Sequence, residues 1–148
     1  MVKSDDVDAD GIDDLDASEC WRLLADGELG RVGVIRDGEV DIYPVNYLVK
    51  DRSIYFRSGP GSKMVDMARH PLVAFEVDGI DERKRWSVVV RGTATRVGFD
   101  REIEDSGVRE LQSYSPTNKW NYVRIDANVI SGRRFRRAQG RRRATPAE

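Results

Sequence analysis

From residue 29 to residue 130 the chain is written as short runs of alternating apolar residues, each cut by a turn signal. That pattern restricts it to antiparallel β structure, because helices need a 3.6-residue period and parallel strands need long crossovers. Leu29, Arg31, Gly33 and Ile35 share one face of the first run, and Gly30, Val32 and Val34 share the other. Asp37-Gly38 is a two-residue hairpin signal. The run 39–49 sets Val40, Ile42, Pro44, Asn46 and Leu48 on one face, and Pro44 has no N–H for a ladder, which marks an edge or a bulge. After a turn at 50–52 come strands at 53–58, 72–77, 85–97 and 120–130, with a charged turn at 79–84. Helix signals interrupt them. Asp16 and Glu19 have capping-box spacing, with Ser18 a second N-cap candidate. Cys20, Leu23 and Leu24 fall on one helical face, and Gly27 is a natural stop. A second helix opens at Ser62 and ends before Pro71, and a third covers 100–112 with Ile103, Val108 and Leu111 apolar. The expectation is a mainly β chain of six antiparallel strands with inserted helices, closed into a small barrel.

With 148 residues there is material for one domain and one core. Cys20 is the only cysteine and His70 the only histidine, which excludes an internal disulfide and a Cys/His zinc site within one chain. There is no apolar run of membrane length and no basic-then-apolar leader, so a cytoplasmic protein without membrane contact is expected. The net charge of −1 conceals opposed ends: residues 1–20 sum to −7 and residues 131–148 to +6. The division expected is an acidic disordered tail at 1–15, a folded domain at 16–132 and an Arg-rich tail at 133–148. Nucleic acid is not expected as a physiological partner, although residues 133–143 have the charge to hold phosphates. Cys20 reads as a small core residue and His70 as a helix-end cap.

Three segments could carry chemistry. Around the turn Gly59-Pro60-Gly61, strand residues Arg57 and Ser58 are followed by Ser62 and Lys63 at the start of a helix. A guanidinium fork, an ammonium, two hydroxyls and free helix N–H groups together suit a phosphate monoester. The same residues would also make an ordinary capped surface loop. Tyr43-Pro44-Val45-Asn46-Tyr47 combines exposed backbone, a side-chain amide and aromatic rings, which a planar heterocycle could use, or it forms a plain edge strand. Trp86-Ser87-Val88-Val89-Val90-Arg91-Gly92 has the composition of a buried strand whose opening Trp86-Ser87 could still face a ligand.

In this order, Gly30-Arg31-Val32-Gly33-Val34, Pro44-Val45-Asn46-Tyr47, Ile54-Tyr55-Phe56-Arg57-Ser58, Gly61-Ser62-Lys63, Ala74-Phe75-Glu76-Val77-Asp78 and the Trp86–Gly92 segment resemble the pyridoxamine 5′-phosphate oxidase-related flavin-binding split-barrel proteins. The resemblance spans about 17–133 and is nearest to the small group that includes the nitroimidazole-reductase-type proteins. It implies a six-stranded split barrel, a homodimer and FMN bound in the subunit interface. Arg57, Ser58, Ser62 and Lys63 would then hold the FMN phosphate. Asn46 and Tyr47, with the backbone around Pro44 and Val45, would line the isoalloxazine ring. Trp86 and Ser87 would lie near the ring or ribityl chain, and Trp120 and Arg133 would reach the site from the partner subunit. The implied activity is a flavin-dependent oxidoreductase acting on a small molecule with a separate reductant. A deazaflavin coenzyme, haem, or a non-catalytic flavin-binding or redox-sensing role are the alternatives. The chain is shorter than a true pyridoxamine phosphate oxidase and lacks its C-terminal Arg/His pattern, so vitamin B6 oxidation is not expected.

Overall fold

The computed structural model describes residues 11–59, 67–111 and 121–136. Among them one antiparallel sheet contains β1 (Ile12–Leu15), β2 (Leu29–Arg36), β3 (Glu39–Lys50), β4 (Ser53–Ser58), β5 (Leu72–Asp81), β6 (Lys84–Arg96) and β7 (Asn121–Arg136). The pairings β2–β3–β4–β7–β6–β5–β2 run in a ring, and β1 is added along the outer edge of β7. The mainly β, antiparallel expectation therefore holds. The hairpin signal is also realised. Asp37 and Gly38 take φ of +48° and +78° between the facing pair Arg36 and Glu39, the backbone that a two-residue turn matching strand twist requires.

Two strands change partners along their length. β3 pairs with β2 up to Asn46, opposite Leu29, and with β4 from Tyr47, opposite Phe56. β7 pairs with β4 over Asn121–Asp126 and with β1 over Gly132–Phe135, while β6 follows it on the other side. A register shift at Arg91/Gly92 bends this long pair. Gly92 is required there, because a Cβ would stand 2.3 Å from the Asp126 carbonyl oxygen.

The ring interior is filled. Phe56, Phe75, Ile54, Ile125, Val34 and Val88 are each no more than 1% exposed. Helix α1 (Ala17–Asp26) lies against the ring with Cys20, Leu23 and Leu24 buried. Its start follows the sequence signal: the Asp16 carboxylate accepts from the Glu19 N–H at 2.9 Å. Its end does not follow the expected reason. Gly27 has φ of −85°, open to any residue, but a Cβ would sit 2.2 Å from the Tyr47 hydroxyl. A second cluster of Tyr55, Val97, Ile103 and Val108 packs outside the ring under α2 (Asp100–Ser106). The helix expected over 100–112 stops at Ser106, because Gly107 turns into the left-handed region at φ +80° and a 3-10 turn, Val108–Glu110, follows. Met67–Arg69 are helical, and the expected start of that helix at Ser62 lies outside the described residues.

Both tail boundaries need correction. Residues 12–15, expected as solvated tail, form β1, and the strand expected to close at 130 continues to Arg136. The two extensions pair with each other, Asp14 facing Arg133 and Asp13 facing Arg134. Neither segment had strand character alone, since each supplies the other's backbone partner and countercharge.

The side chain of Glu19 pairs with Arg22 within α1 at 2.6 Å and ties the helix to this corner through Arg134 at 3.0 Å. Those hydrogen bonds lower its pKa from 4.5 to about 2. A depressed folded-state pKa contributes stability that is present above the unfolded value and lost as pH falls through the folded one. Glu19→Gln should therefore lower the urea midpoint at neutral pH, and its deficit against the parent should shrink between pH 4.5 and about 2. A deficit that stays constant across this range would show that Glu19 contributes through packing alone.

Candidate functional site

Strand parity sorts the expected residues onto two faces. On β3, Pro44 and Asn46 point outward, and Val45 and Tyr47 point to the core. Tyr47 is a correction to the ring-lining set. Its side chain is 2% exposed, its hydroxyl donates to the Leu24 carbonyl at 2.6 Å, and its ring meets Phe75 edge-on with centroids 5.0 Å apart. Burial pushes its phenol pKa up. Val45 likewise packs against the core, so only its backbone is open to an outer ligand. Alternation applies again on β6. Trp86 packs against the core cluster and over Gly79, where a Cβ would be 2.6 Å from its ring, and Ser87 lies on the opposite, outer face. Trp86 and Ser87 therefore do not serve one ligand face together.

The phosphate candidates begin where β3 leaves β4. The ladder between them stops at the facing pair Tyr47–Phe56, and Arg57 and Ser58 continue along β7 opposite Tyr122 and Asn121. Arg57 is on the same outer face as Tyr55, and Asn46 is on the same outer face as Leu48, so Arg57 and Asn46 flank the divergence of their strands. The guanidinium is held in place: Arg57 Nη1 donates to the Arg109 carbonyl in the 3-10 turn at 2.9 Å. Ser58 is 9% exposed and points to the inner side. Ser62, Lys63 and Trp120 lie outside the described residues.

Ser87 and Arg133 are brought together as a facing pair of β6 and β7, with Arg133 68% exposed and 3.9 Å from Asp14. They are not brought to Asn46. The row from Asn46 to Arg133 crosses β2, β5 and β6 in four strand steps, roughly 19 Å of sheet at about 4.8 Å per step, and the two-step route through β4 meets β7 only at Asn121–Asp126, well before Arg133. The expected residues among those described thus fall into two separate groups, Arg57/Pro44/Asn46 and Ser87/Arg133.

On β2 and β5 stands a further outer-face group that the sequence motifs did not single out as a site. Arg31 on β2 reaches Glu76 at 3.3 Å and Asp78 at 3.6 Å on β5. Burial and the neighbouring Asp78 raise the Glu76 pKa, against the pull of Arg31. The signal was available, since Arg31 and the two carboxylates all stand on outer-face parity. A separate open pocket of about 460 Å³ is lined by Tyr55, Phe99, Glu102 and Asp105, and contains none of the expected site residues. Among the described residues no group of three or more His, Cys, Asp or Glu could hold a metal ion, and no helix is long and apolar enough to cross a membrane. His70 is exposed just past the helical turn.

The family model for pyridoxamine 5′-phosphate oxidase matches residues 16–141. The chain belongs to this family. A proposed pyridoxamine 5′-phosphate oxidase from Corynebacterium glutamicum superimposes with a TM-score of 0.77 at 42% identity, covering 85% of this chain and 99% of that one. The FAD binding protein from Mycobacterium smegmatis gives a TM-score of 0.71 at 36% identity, covering 84% of this chain and 99% of that one. An uncharacterized protein of Mycobacterium tuberculosis is 38% identical over 129 residues, 82% of this chain and 84% of its relative. Membership in the pyridoxamine 5′-phosphate oxidase family agrees with the resemblance carried by the sequence motifs.

The Tyr47 correction is testable. Tyr47→Phe removes one buried hydrogen bond and should cost about 1–2 kcal/mol of stability, read as a lower urea midpoint. An unchanged midpoint would show that the hydroxyl does not anchor β3 to α1.

Proposed function

We propose that the protein is a homodimeric, flavin-dependent oxidoreductase of split-barrel type, with FMN phosphate held at Arg57, Ser62 and Lys63. The observation that carries this reading is the divergence of β3 from β4 at Tyr47–Phe56. It leaves Arg57 beside Pro44 and Asn46 on an outer face, with a cation for phosphate next to an amide and exposed backbone for a planar ring. The donor set fits the group, because a phosphate monoester takes a planar guanidinium fork and hydroxyl donors. Bound flavin supplies hydride or electron transfer to a small molecule from a separate reductant. The chain's own residues bind and orient: Arg57 anchors, Asn46 offers donor and acceptor, and the packed ring interior behind them keeps water from one side. FAD is the second reading, favoured by the name of the Mycobacterium smegmatis relative.

The Ser87/Arg133 group calls for a second copy. A strip of the outer face running across β3, β2, β5, β6 and β7 exposes Val40 (71%), Ile42 (66%), Leu72 (63%) and Val129 (56%). Monomers rarely leave such contiguous apolar surface in water. Covering it with another protomer would bring one chain's Ser87 and Arg133 toward the other's Asn46, bridging the separation found within one chain.

FMN, FAD and riboflavin titrations followed by flavin fluorescence test the reading. Arg57→Ala and Lys63→Ala should each weaken FMN about 10-fold or more, the worth of a charged hydrogen bond, and leave riboflavin, which has no phosphate, unchanged. FMN binding unaltered in both variants would remove the phosphate from this loop. Ile42→Glu should sediment as a monomer and lose flavin. A monomeric variant with full flavin affinity would confine the site to one chain.

A further inference from the structure

The ladders set Arg31, Glu76 and Asp78 in the same outward rows as the expected site residues. Arg31 faces Pro44 on β3 and Glu76 on β5, and Glu76 faces Val89 on β6. Two residues along the same strands, Leu29 faces Asn46, and Asp78 faces Ser87, which in turn faces Arg133. The ion cluster therefore joins the two groups of expected site residues across one continuous surface. At about 4.8 Å per strand, Glu76 is two steps, roughly 10 Å, from Pro44. Its side chain reaches back over part of that span and leaves room for one small molecule.

The charges in the cluster do not cancel. Two carboxylates share a single guanidinium nitrogen: Arg31 Nη1 is 3.3 Å from Glu76 Oε1 and 3.6 Å from Asp78 Oδ2. The charged groups that face Glu76 are Arg31 from β2, Asp78 on its own strand, and Arg91, which is diagonal to it on β6 because it faces Ala74. Among the described residues only Arg31 pairs with the two acids. Glu76 is the more sheltered carboxyl, its side chain 34% exposed against 54% for Asp78. Burial and the hydrogen bond with Asp78 raise the Glu76 pKa above its ordinary value. Adjacent carboxyls favour one shared proton. The inner carboxyl holds that proton, and the outer one connects it to water.

We propose that Glu76, held by Arg31 and resupplied through Asp78, donates the proton to the small molecule reduced at the proposed flavin site. This inference rests on the flavin reading above. The substrate class is a polarised double bond, C=O or C=N. Its carbon takes the hydride, with both electrons, that the reduced cofactor supplies, and the π pair moves to the oxygen or nitrogen. That atom takes the Glu76 proton, and the carboxylate left behind is neutralised by Arg31 until Asp78 passes it a proton from water.

Two measurements on the full chain test it. Without cofactor, carboxyl-carbon NMR follows the acids through pH. Glu76 should titrate above the ordinary glutamate value of about 4.3, and Asp78→Asn should lower it toward that value. A Glu76 that titrates with the ordinary glutamates overturns the proposal. Second, the midpoint potential of bound FMN is followed by dye equilibration between about pH 4 and 8, a span that covers an elevated glutamate. Glu76→Gln keeps the size and an acceptor for Arg31 but holds no titrating proton. The parent curve should bend where Glu76 titrates, and the Glu76→Gln curve should run straight through that pH, with FMN affinity within about twofold. Coincident curves with FMN bound in both remove Glu76 as the donor and leave the flavin reading standing. FMN lost from Glu76→Gln alone assigns Glu76 to holding the cofactor and overturns the donor role. A parent that binds no FMN overturns both readings.

Discussion

Hydrogen bonding of Asn121–Arg136 to β6 along one side, and to β4 and then β1 along the other, closes the sheet on itself. Closure removes the open edges that a flat sheet of this size would expose. It also fixes where ligand chemistry can be. A ring whose interior is occupied by Phe56, Phe75, Ile54 and Ile125 at close to zero exposure has no room for a cofactor. Any planar ligand must lie on the outside, among residues of outward parity. The exposed apolar strip, the Arg31–Glu76–Asp78 group and the Arg57/Asn46 pair are all on that outside surface, and none belongs to the core.

The partner changes in β3 and β7 give that surface its form. A strand that stayed with one neighbour throughout would carry Asn46 into a ladder with Arg57. Because β3 instead turns to β2 at Asn46, the two side chains are left at the mouth of a divergence. Pro44 faces Arg31 two residues upstream on β2. Its missing N–H costs least where a strand is turning away from one neighbour toward another. On β7 the bend is made by the register shift opposite Gly92, where backbone approaches backbone too closely for any side chain.

Much of this was legible in the sequence, and the failures have identifiable causes. Period-two alternation placed the faces of β2 and β3 correctly, and the Asp37-Gly38 turn lies where the dipeptide demands. The same alternation separates Asn46 from Tyr47 and Trp86 from Ser87, so only one member of each pair stands on the outer face. What could not be read was non-local. β1 is four residues with two aspartates, and its identity as a strand depends on a partner about 120 positions away. Nor does any local signal reveal that Ser87 and Arg133 face each other in a row that reaches Asn46 only across β5 and β2, since that placement depends on strand order and register.

The Asn46-Tyr47 step joins stability to the site in one dipeptide. Tyr47 anchors β3 from the inside: its hydroxyl holds the last turn of α1 at Leu24, its ring stacks edge-on with Phe75, and its N–H donates to the Glu28 carbonyl at 3.0 Å. Phe75 in turn covers Gly30, where a Cβ would be 2.3 Å from its ring. These contacts clamp the point at which β3 changes neighbour, so the outward direction of Asn46 is set by packing on the opposite face of the same strand. A side chain on an otherwise exposed surface acquires a fixed direction in this way, and pre-organisation of that kind lowers the ordering cost that any binding on a shallow outer face would carry.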